Sequence, residues 1–288
     1  MAALIFPPRC HTGPRVRGEF LDLSGARLYY YAAGTRGAGN PVVFLHGFAT
    51  SGHLWSDVVP LMPPGHRLVV LDLLGYGRSD RPGDRPLDIR AHATRIVELL
   101  DELRIDSACI VGHGLGGGVA QSLAVRHADR VSHLCLIDTV AFDRWPNRRT
   151  RIARASLPLA RLLPPRPIVA ALRRALARGY ADPARVARSI DMYVRPFADE
   201  AGRDALVAHL RAMRSDETAD LAARLSGITI PVAIVWGRSD NVIPIEVGRQ
   251  LQAAIPGASL ATVDDARHFV PEESPRPVAD VIADLLRR

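Results

Sequence analysis

The chain has 288 residues, 48% of them hydrophobic, which suits one large α/β domain with an insertion. Its formal net charge of +7 comes from arginine alone, since the sequence contains no lysine. No stretch approaches the roughly 20 apolar residues that span a bilayer, and residues 1–8 lack a basic segment before their short apolar run, so we predict neither a membrane span nor a secretory signal. No nucleic-acid-reading motif accompanies the arginines, so we expect no nucleic-acid partner.

The three cysteines, Cys10, Cys109 and Cys135, are far apart, and the last two stand inside apolar runs. This placement is typical of buried thiols and not of a disulfide framework or a metal site. We therefore predict a protein of a reducing compartment, the cytoplasm, that needs neither a metal nor a cofactor.

Short apolar runs separated by turn residues predict alternating strands and helices in the first half of the chain. The predicted strands cover residues 19–23, 27–33, 41–45, 67–71 and 108–111, and the predicted helices cover residues 54–61 and 87–103. The strand at 41–45 runs into the turn His46-Gly47, and the strand at 67–71 runs into a loop with glycines at 75 and 77.

An apolar run at residues 109–111 stops in glycines and restarts as a helical pattern, which predicts a strand, a sharp turn and a helix. Gly112 and Gly116 leave no side chains where the strand and the helix nearly touch. We expect Gly114, midway between them, to have a strained left-handed backbone that would aim a side chain into a cleft.

The second half repeats the alternation after a long helical segment. A strand at 131–137 ends at Asp138, and the later strands cover 230–236 and 258–263, with helices at 245–254 and from Pro275 to the C-terminus. We predict an N-terminal tail at 1–18, a core domain at 19–140 and 227–288, and a helical cap at 141–226, broken by prolines at 158, 164–165 and 183.

Arginines dominate the first half of the cap, where Asp182 is the one acid between residues 144 and 188. A solvated helical face accounts for this pattern. A weak contact with an anionic membrane surface, or attraction to an anionic substrate, stays open.

These features resemble the α/β-hydrolase family. The turn Gly112-His113-Gly114-Leu115-Gly116 has the frame of its nucleophile elbow, Gly-x-nucleophile-x-Gly. Residues 72–79 resemble its Asp-x-x-Gly-x-Gly-x-Ser loop, residues 236–240 its acid motif and residues 265–272 its histidine loop. The resemblance implies a mostly parallel eight-stranded sheet flanked by helices, with a helical cap inserted after strand 6.

The resemblance also implies roles for individual residues. Asp240 would orient the base His268, with Asp138 as the alternative acid, and the backbone N–H groups of Phe48 and Leu115 would form the oxyanion hole. His46, Gly47, His113 and Trp145 are placed beside the substrate, although the residues alone favour backbone support for the two histidines. Apolar cap residues predict a small substrate with a hydrophobic acyl or alkyl group: Trp145, Leu157, Leu162 and Leu163.

Glycine at position 114 departs from the family pattern, because it cannot form an acyl- or alkyl-enzyme. Serine there would imply esterase, lipase or C–C hydrolase chemistry, and aspartate would imply a dehalogenase or an epoxide hydrolase. Leu115 stands where dehalogenases commonly keep tryptophan, and Ala49 where epoxide hydrolases commonly keep proline. The pattern therefore favours ester-type ancestry.

Three functions remain open on the sequence. The chain is predicted to be a hydrolase of ester-like substrates that lacks its nucleophile. Alternatively, the Asp240–His268 pair activates water or a substrate proton without a covalent intermediate. A third alternative is a noncatalytic binding protein that keeps the pocket for recognition.

Overall fold

The computed structural model describes residues 18–35, 39–146, 148–155 and 163–288. The predicted N-terminal tail lies outside this part of the chain except for Gly18, which already belongs to the first strand. Eight strands form one sheet: β1 (Gly18–Leu23), β2 (Ala26–Gly34), β3 (Val42–Leu45), β4 (Arg67–Leu71), β5 (Ala108–His113), β6 (Val131–Ile137), β7 (Val232–Gly237) and β8 (Ser259–Val263).

The strand order in the sheet is β1-β2-β4-β3-β5-β6-β7-β8. β2 pairs antiparallel with β1 and with β4, and every later pair is parallel. Every residue of β3, β5 and β7 is buried, as expected for continuous apolar runs covered on both faces. The predicted mostly parallel eight-stranded sheet is confirmed.

The helices of the core connect these strands. They are α1 (Ile89–Glu102), α2 (Leu115–Arg126), α8 (Ile245–Ala254), α9 (Val270–Glu273) and α10 (Pro275–Leu285). The predicted helix at 54–61 is wrong, because two 3₁₀ turns, Gly52–Trp55 and Val59–Leu61, stand in its place. Pro60 has no N–H to donate within an α-helix, which explains the break.

The predicted cap lies between β6 and β7, and we keep that name for this segment; its described part contains helices separated by turns and loops. The helices are α3 (Arg148–Ala155), α4 (Pro165–Ala177), α5 (Pro183–Val194), α6 (Glu200–Ala212) and α7 (Asp216–Ala222). Pro165 and Pro183 are first residues of helices, where a missing N–H breaks no hydrogen bond; Pro158 lies outside the described residues. Across the described chain, the model contains no helix with the length and hydropathy of a membrane span.

Candidate active site

Gly114 lies in a tight turn between β5 and α2, with φ of 54° and ψ of −117°. The glycines on either side are required by close backbone contacts. A Cβ on Gly112 would lie 2.4 Å from the Gly116 carbonyl oxygen, and a Cβ on Gly116 would lie 2.4 Å from that of Leu45. The strand, sharp turn and helix predicted from the glycine spacing are therefore present, with a positive φ at Gly114.

Polar contacts hold the elbow in place. The carbonyl of Gly114 accepts from the Thr139 hydroxyl and from the Val140 N–H, both at 3.2 Å. Gln121 Nε2 in turn donates to Thr139 Oγ1 at 3.2 Å and to the Val140 carbonyl at 2.8 Å. Our sequence analysis missed Thr139 and Gln121, whose signal was a polar side chain within an apolar stretch.

The structure brings Gly114, Asp240 and His268 together. His268 Nδ1 lies 2.9 Å from Asp240 Oδ2, and Asp240 Oδ1 accepts from the N–H groups of Val242 and Ile243 at 2.7 and 3.0 Å. With Nδ1–H donating to the carboxylate, the lone pair of Nε2 is left for the cleft. A Cβ on Gly114 would lie 3.8 Å from this Nε2 and 3.5 Å from Gly47 Cα.

Asp138, the alternative acid, is fully buried at the end of β6. Its Oδ1 accepts from the Gly237 N–H at 2.8 Å, and its Oδ2 has no hydrogen-bond partner among the described residues. Burial, reinforced by the nearby Asp240 carboxylate, raises the pKa of Asp138 well above its ordinary value. Asp240, and not Asp138, is thus the carboxylate within hydrogen-bond distance of His268.

The predicted oxyanion donors, Phe48 and Leu115, directly follow Gly47 and Gly114, and a Cβ on Gly114 would lie 3.5 Å from the Gly47 Cα. Leu115 is the first residue of α2, so its N–H has no intrahelical acceptor. Phe48 follows Gly47 in a turn that is closed by the Thr50 hydroxyl, which donates to the Gly47 carbonyl at 2.9 Å. Within the described chain, no main-chain carbonyl accepts from the N–H of Phe48 or Leu115.

His46 and His113 both support backbone. His46 Nδ1 lies 2.8 Å from the Gly47 carbonyl oxygen, its Nε2 accepts from the Leu73 N–H at 2.9 Å, and burial lowers its pKa to about 4. His113 Nε2 lies 2.8 Å from the His268 carbonyl oxygen, and burial, with His268 nearby, lowers its pKa well below the ordinary value. Both rings are neutral near pH 7, which favours the structural role.

Trp145 packs inside the cap. Its side chain is 3% exposed, and its indole N–H donates to Thr218 Oγ1 at 2.5 Å. It therefore presents little surface to a substrate. Leu163 is 47% exposed, and Leu157 and Leu162 lie outside the described residues.

Asp72 organises the glycine-containing loop after β4. Its carboxylate accepts from the N–H groups of Gly52 and Arg78 at 2.6 and 2.8 Å, and burial raises its pKa to about 6. The Ser79 hydroxyl closes the same loop by donating to the Asp72 carbonyl at 2.5 Å. The loop thus contributes a scaffold rather than a reacting group.

Acids from outside the basic half of the cap pair with its arginines. Arg185 and Arg188 both contact Asp57 of the core, and Arg173 contacts Asp191.

No group of three or more His, Cys, Asp or Glu among the described residues could hold a metal ion.

Comparisons with known proteins agree with this architecture. Residues 40–275 match the family described as the alpha/beta hydrolase fold. An α/β-hydrolase fold protein from Burkholderia ambifaria superposes with a TM-score of 0.85 at 28% identity, covering 92% of this chain and 97% of that one. The enol-lactonase from Burkholderia xenovorans gives 0.79 at 25% identity, covering 94% and 100%. Haloalkane dehalogenase 2 of Mycobacterium tuberculosis is 28% identical over 288 residues, covering 92% and 93%.

Proposed function

This chain belongs to the alpha/beta hydrolase fold family, and on that basis we propose that it is a hydrolase-type protein for carboxylic-ester-like substrates with a hydrophobic acyl group, lacking its nucleophile at Gly114. One observation carries the proposal. A Cβ at this position would lie 3.5 Å from the Gly47 Cα, an ordinary contact distance, and 3.8 Å from Nε2 of His268. The base and its orienting acid are thus arranged for a side chain that glycine does not have.

The hydrogen bond between His268 and Asp240 supports a second candidate. A base with an oriented imidazole can deprotonate a water molecule above Gly114, which then attacks a substrate carbonyl without a covalent intermediate. The N–H groups of Phe48 and Leu115 would stabilise the oxyanion in either mechanism. A noncatalytic binding protein does not need an imidazole oriented by a carboxylate. The pair of His268 and Asp240 therefore favours the two catalytic candidates over a binding protein.

The relatives bear on the substrate class. The enol-lactonase is named for the hydrolysis of a cyclic ester, which supports the ester-type proposal. The similarity to a haloalkane dehalogenase supports the alternative, in which position 114 held an aspartate nucleophile in an ancestor of this chain. Leu115 in place of the tryptophan expected in dehalogenases favours the ester.

The test is hydrolysis of short- and medium-chain aryl esters by the chain as it stands, Gly114→Ser, Gly114→Ala and Gly114→Asp. We expect Gly114→Ser to increase turnover by roughly 10²- to 10⁴-fold, because the serine hydroxyl would meet an already oriented base. Gly114→Ala is the matched control, since it adds the Cβ without a nucleophile. Gly114→Asp is assayed also on haloalkanes and epoxides.

The outcomes separate the candidates. Activity of the unaltered chain that disappears in His268→Gln would support the noncovalent mechanism. Halide release by Gly114→Asp, with Gly114→Ser inactive on esters, would overturn the ester proposal in favour of dehalogenase ancestry. Absence of turnover in all variants, with saturable ester binding, would identify a binding protein.

A further inference from the structure

A short segment of the cap lies against both catalytic loops of the core. We call residues 178–182, between α4 and α5, the cap strap. The Gly179 carbonyl accepts the main-chain N–H of His268 at 3.0 Å. The Arg178 carbonyl accepts from Asn241 Nδ2, next to Asp240, at 2.8 Å. The loops that carry the base and the acid are therefore hydrogen-bonded to the cap.

Glu272 makes a second connection four residues after His268. It is fully buried, and its carboxylate accepts from the hydroxyls of Tyr180 in the strap and Ser189 in α5. Burial raises the pKa of Glu272 to about 7. A buried carboxylate carries a large desolvation cost that an apolar side chain of similar size would avoid. Packing alone therefore does not explain a glutamate here.

Together the two connections clamp the histidine loop. The pairs His268–Gly179 and Glu272–Tyr180 join both ends of a five-residue stretch to two adjacent residues of the strap. Close approach requires glycine at 179, because a Cβ there would lie 2.5 Å from the Phe269 ring. The strap and the loop are thus packed closely, with the backbone of Gly179 against the Phe269 ring.

The clamp continues to the elbow through a stack of rings. Phe269 stacks on Tyr180 with ring centroids 4.3 Å apart and lies 5.8 Å from the ring of His113 on its other side. His113, next to Gly114, also lies within hydrogen-bond distance of the His268 carbonyl. The main chain of His268 is held at its N–H by the cap and at its C=O by the elbow.

Among the described residues, the hydrogen-bond donors to the Glu272 side chain are hydroxyl groups. Tyr193 and Arg188 of α5 face it, but Arg188 contacts Asp57, and His53 of the core packs edge-on against Tyr193 at 6.0 Å. The neighbouring Glu273 adds a further connection to the strap, because its carboxylate accepts from the N–H groups of Ala181 and Asp182 as well as from that of Arg267. Removal of the Tyr180 hydroxyl would therefore take away one of the hydrogen-bond donors to the Glu272 carboxylate.

We propose that Tyr180 and Glu272 are positioning residues for His268: their hydrogen bond holds the cap strap on the histidine loop, so that the cap fixes the direction in which Nε2 faces Gly114. The inference deepens the proposed function and rests on it for the kinetic measurement. The position of the imidazole can be measured in the chain as it exists.

The first measurement is solvent exchange of the His268 Nδ1 proton, a downfield proton resonance assigned by its loss in His268→Gln. We expect roughly tenfold faster exchange in Tyr180→Phe and in Glu272→Met, because each substitution removes the hydrogen bond between the strap and the histidine loop. Tyr30→Phe is the matched control, since it removes a tyrosine–glutamate hydrogen bond to Glu19 far from the site and should leave the exchange rate unchanged. Unchanged exchange in both test variants would overturn the proposal.

The second measurement places the same substitutions in Gly114→Ser. A displaced base should lower kcat about 10- to 100-fold with KM within about twofold. An increase in KM alone would show that the strap shapes the pocket and does not position the base, which contradicts the proposal. If Gly114→Ser has no activity, the proposed function fails while the exchange measurement still decides this inference. If Glu272→Met does not fold, Tyr180→Phe decides it.

Discussion

At the scale of single residues, glycine at position 114 relieves backbone strain in the turn between β5 and α2. Its φ of 54° and ψ of −117° lie in a region that residues with a Cβ occupy at a cost of about 1–3 kcal/mol. Catalytic elbows in which a side chain occupies this position must carry that strain. This chain does not.

Gly114→Ser should therefore be less stable than the unaltered chain, by about 1–3 kcal/mol in the free energy of unfolding. Urea denaturation of Gly114→Ser and Gly114→Ala measures the effect. Equal losses in both variants would assign the cost to the backbone, because the two share only the added Cβ. No loss in either would show that the elbow relaxes to another conformation.

At the scale of elements, the contact between the end of β3 and α2 depends on glycine at 116. A methyl group there would lie 2.4 Å from the Leu45 carbonyl oxygen, so the helix would have to move away from β3. Backbone, unlike a flexible side chain, cannot rotate out of such a clash.

We expect Gly116→Ala to lower the free energy of unfolding by about 3 kcal/mol, at the upper end of overpacking effects. Gly227→Ala is the control, since a Cβ at Gly227 meets no atom within 4 Å. Thermal and urea unfolding of both variants compare them. A Gly116→Ala protein as stable as Gly227→Ala would contradict the close approach of helix and strand.

The elements themselves were largely predictable from the sequence. Strands such as β4 and helices such as α8 follow from apolar runs bounded by turn residues, and both have the predicted limits. The helix expected at 54–61 failed because its apolar spacing is helical, while Pro60 removes a backbone donor that the spacing does not register.

The site was predictable where a motif fixes it locally. Gly114, Asp240 and His268 each follow a strand, and parallel strands bring their ends to one edge of the sheet. The contacts of Tyr180 with Glu272 and of Gln121 with Thr139 join residues whose partners no local spacing reveals. The same holds for the hydrogen bond of Trp145, because its partner Thr218 lies in α7, 73 residues further along the chain.

At the scale of the whole molecule, buried neutral histidines join the cap to the core. His209 of α6 stacks on Tyr76 of the loop after β4 with ring centroids 3.9 Å apart. Burial lowers the pKa of His209 to about 3, and it lowers the pKa of His92 in α1 well below the ordinary value. In the unfolded chain both imidazoles take up a proton near pH 6.5, whereas in the folded chain they stay neutral to a lower pH. The free energy of unfolding is therefore undiminished above pH 6.5, and it decreases as the pH falls towards the pKa of the folded state.

His209→Phe keeps the stacked ring and removes the titration. The variant should have a lower free energy of unfolding than the unaltered chain at pH 7.5. This difference should narrow by about 2–3 kcal/mol at pH 4.5, because the unaltered chain is destabilised by protonation of His209 on unfolding and the phenylalanine variant is not. Urea denaturation at several pH values gives both curves. A difference that stays constant across this range would mean that the pKa of His209 is the same in the folded and the unfolded protein.

The insertion point of the cap also affects how this molecule could change by recombination. The chain leaves the sheet at Ile137 and returns at Val232 beside the strand it left, and closing so long a loop costs only about 2 kcal/mol more than closing one of ten residues. The sheet would thus tolerate exchange of the cap for one of another length. An exchanged cap without an equivalent of Gly179 and Tyr180 would leave the histidine loop without its clamp, so strap and loop are expected to be inherited as one unit even where the remaining cap is replaced.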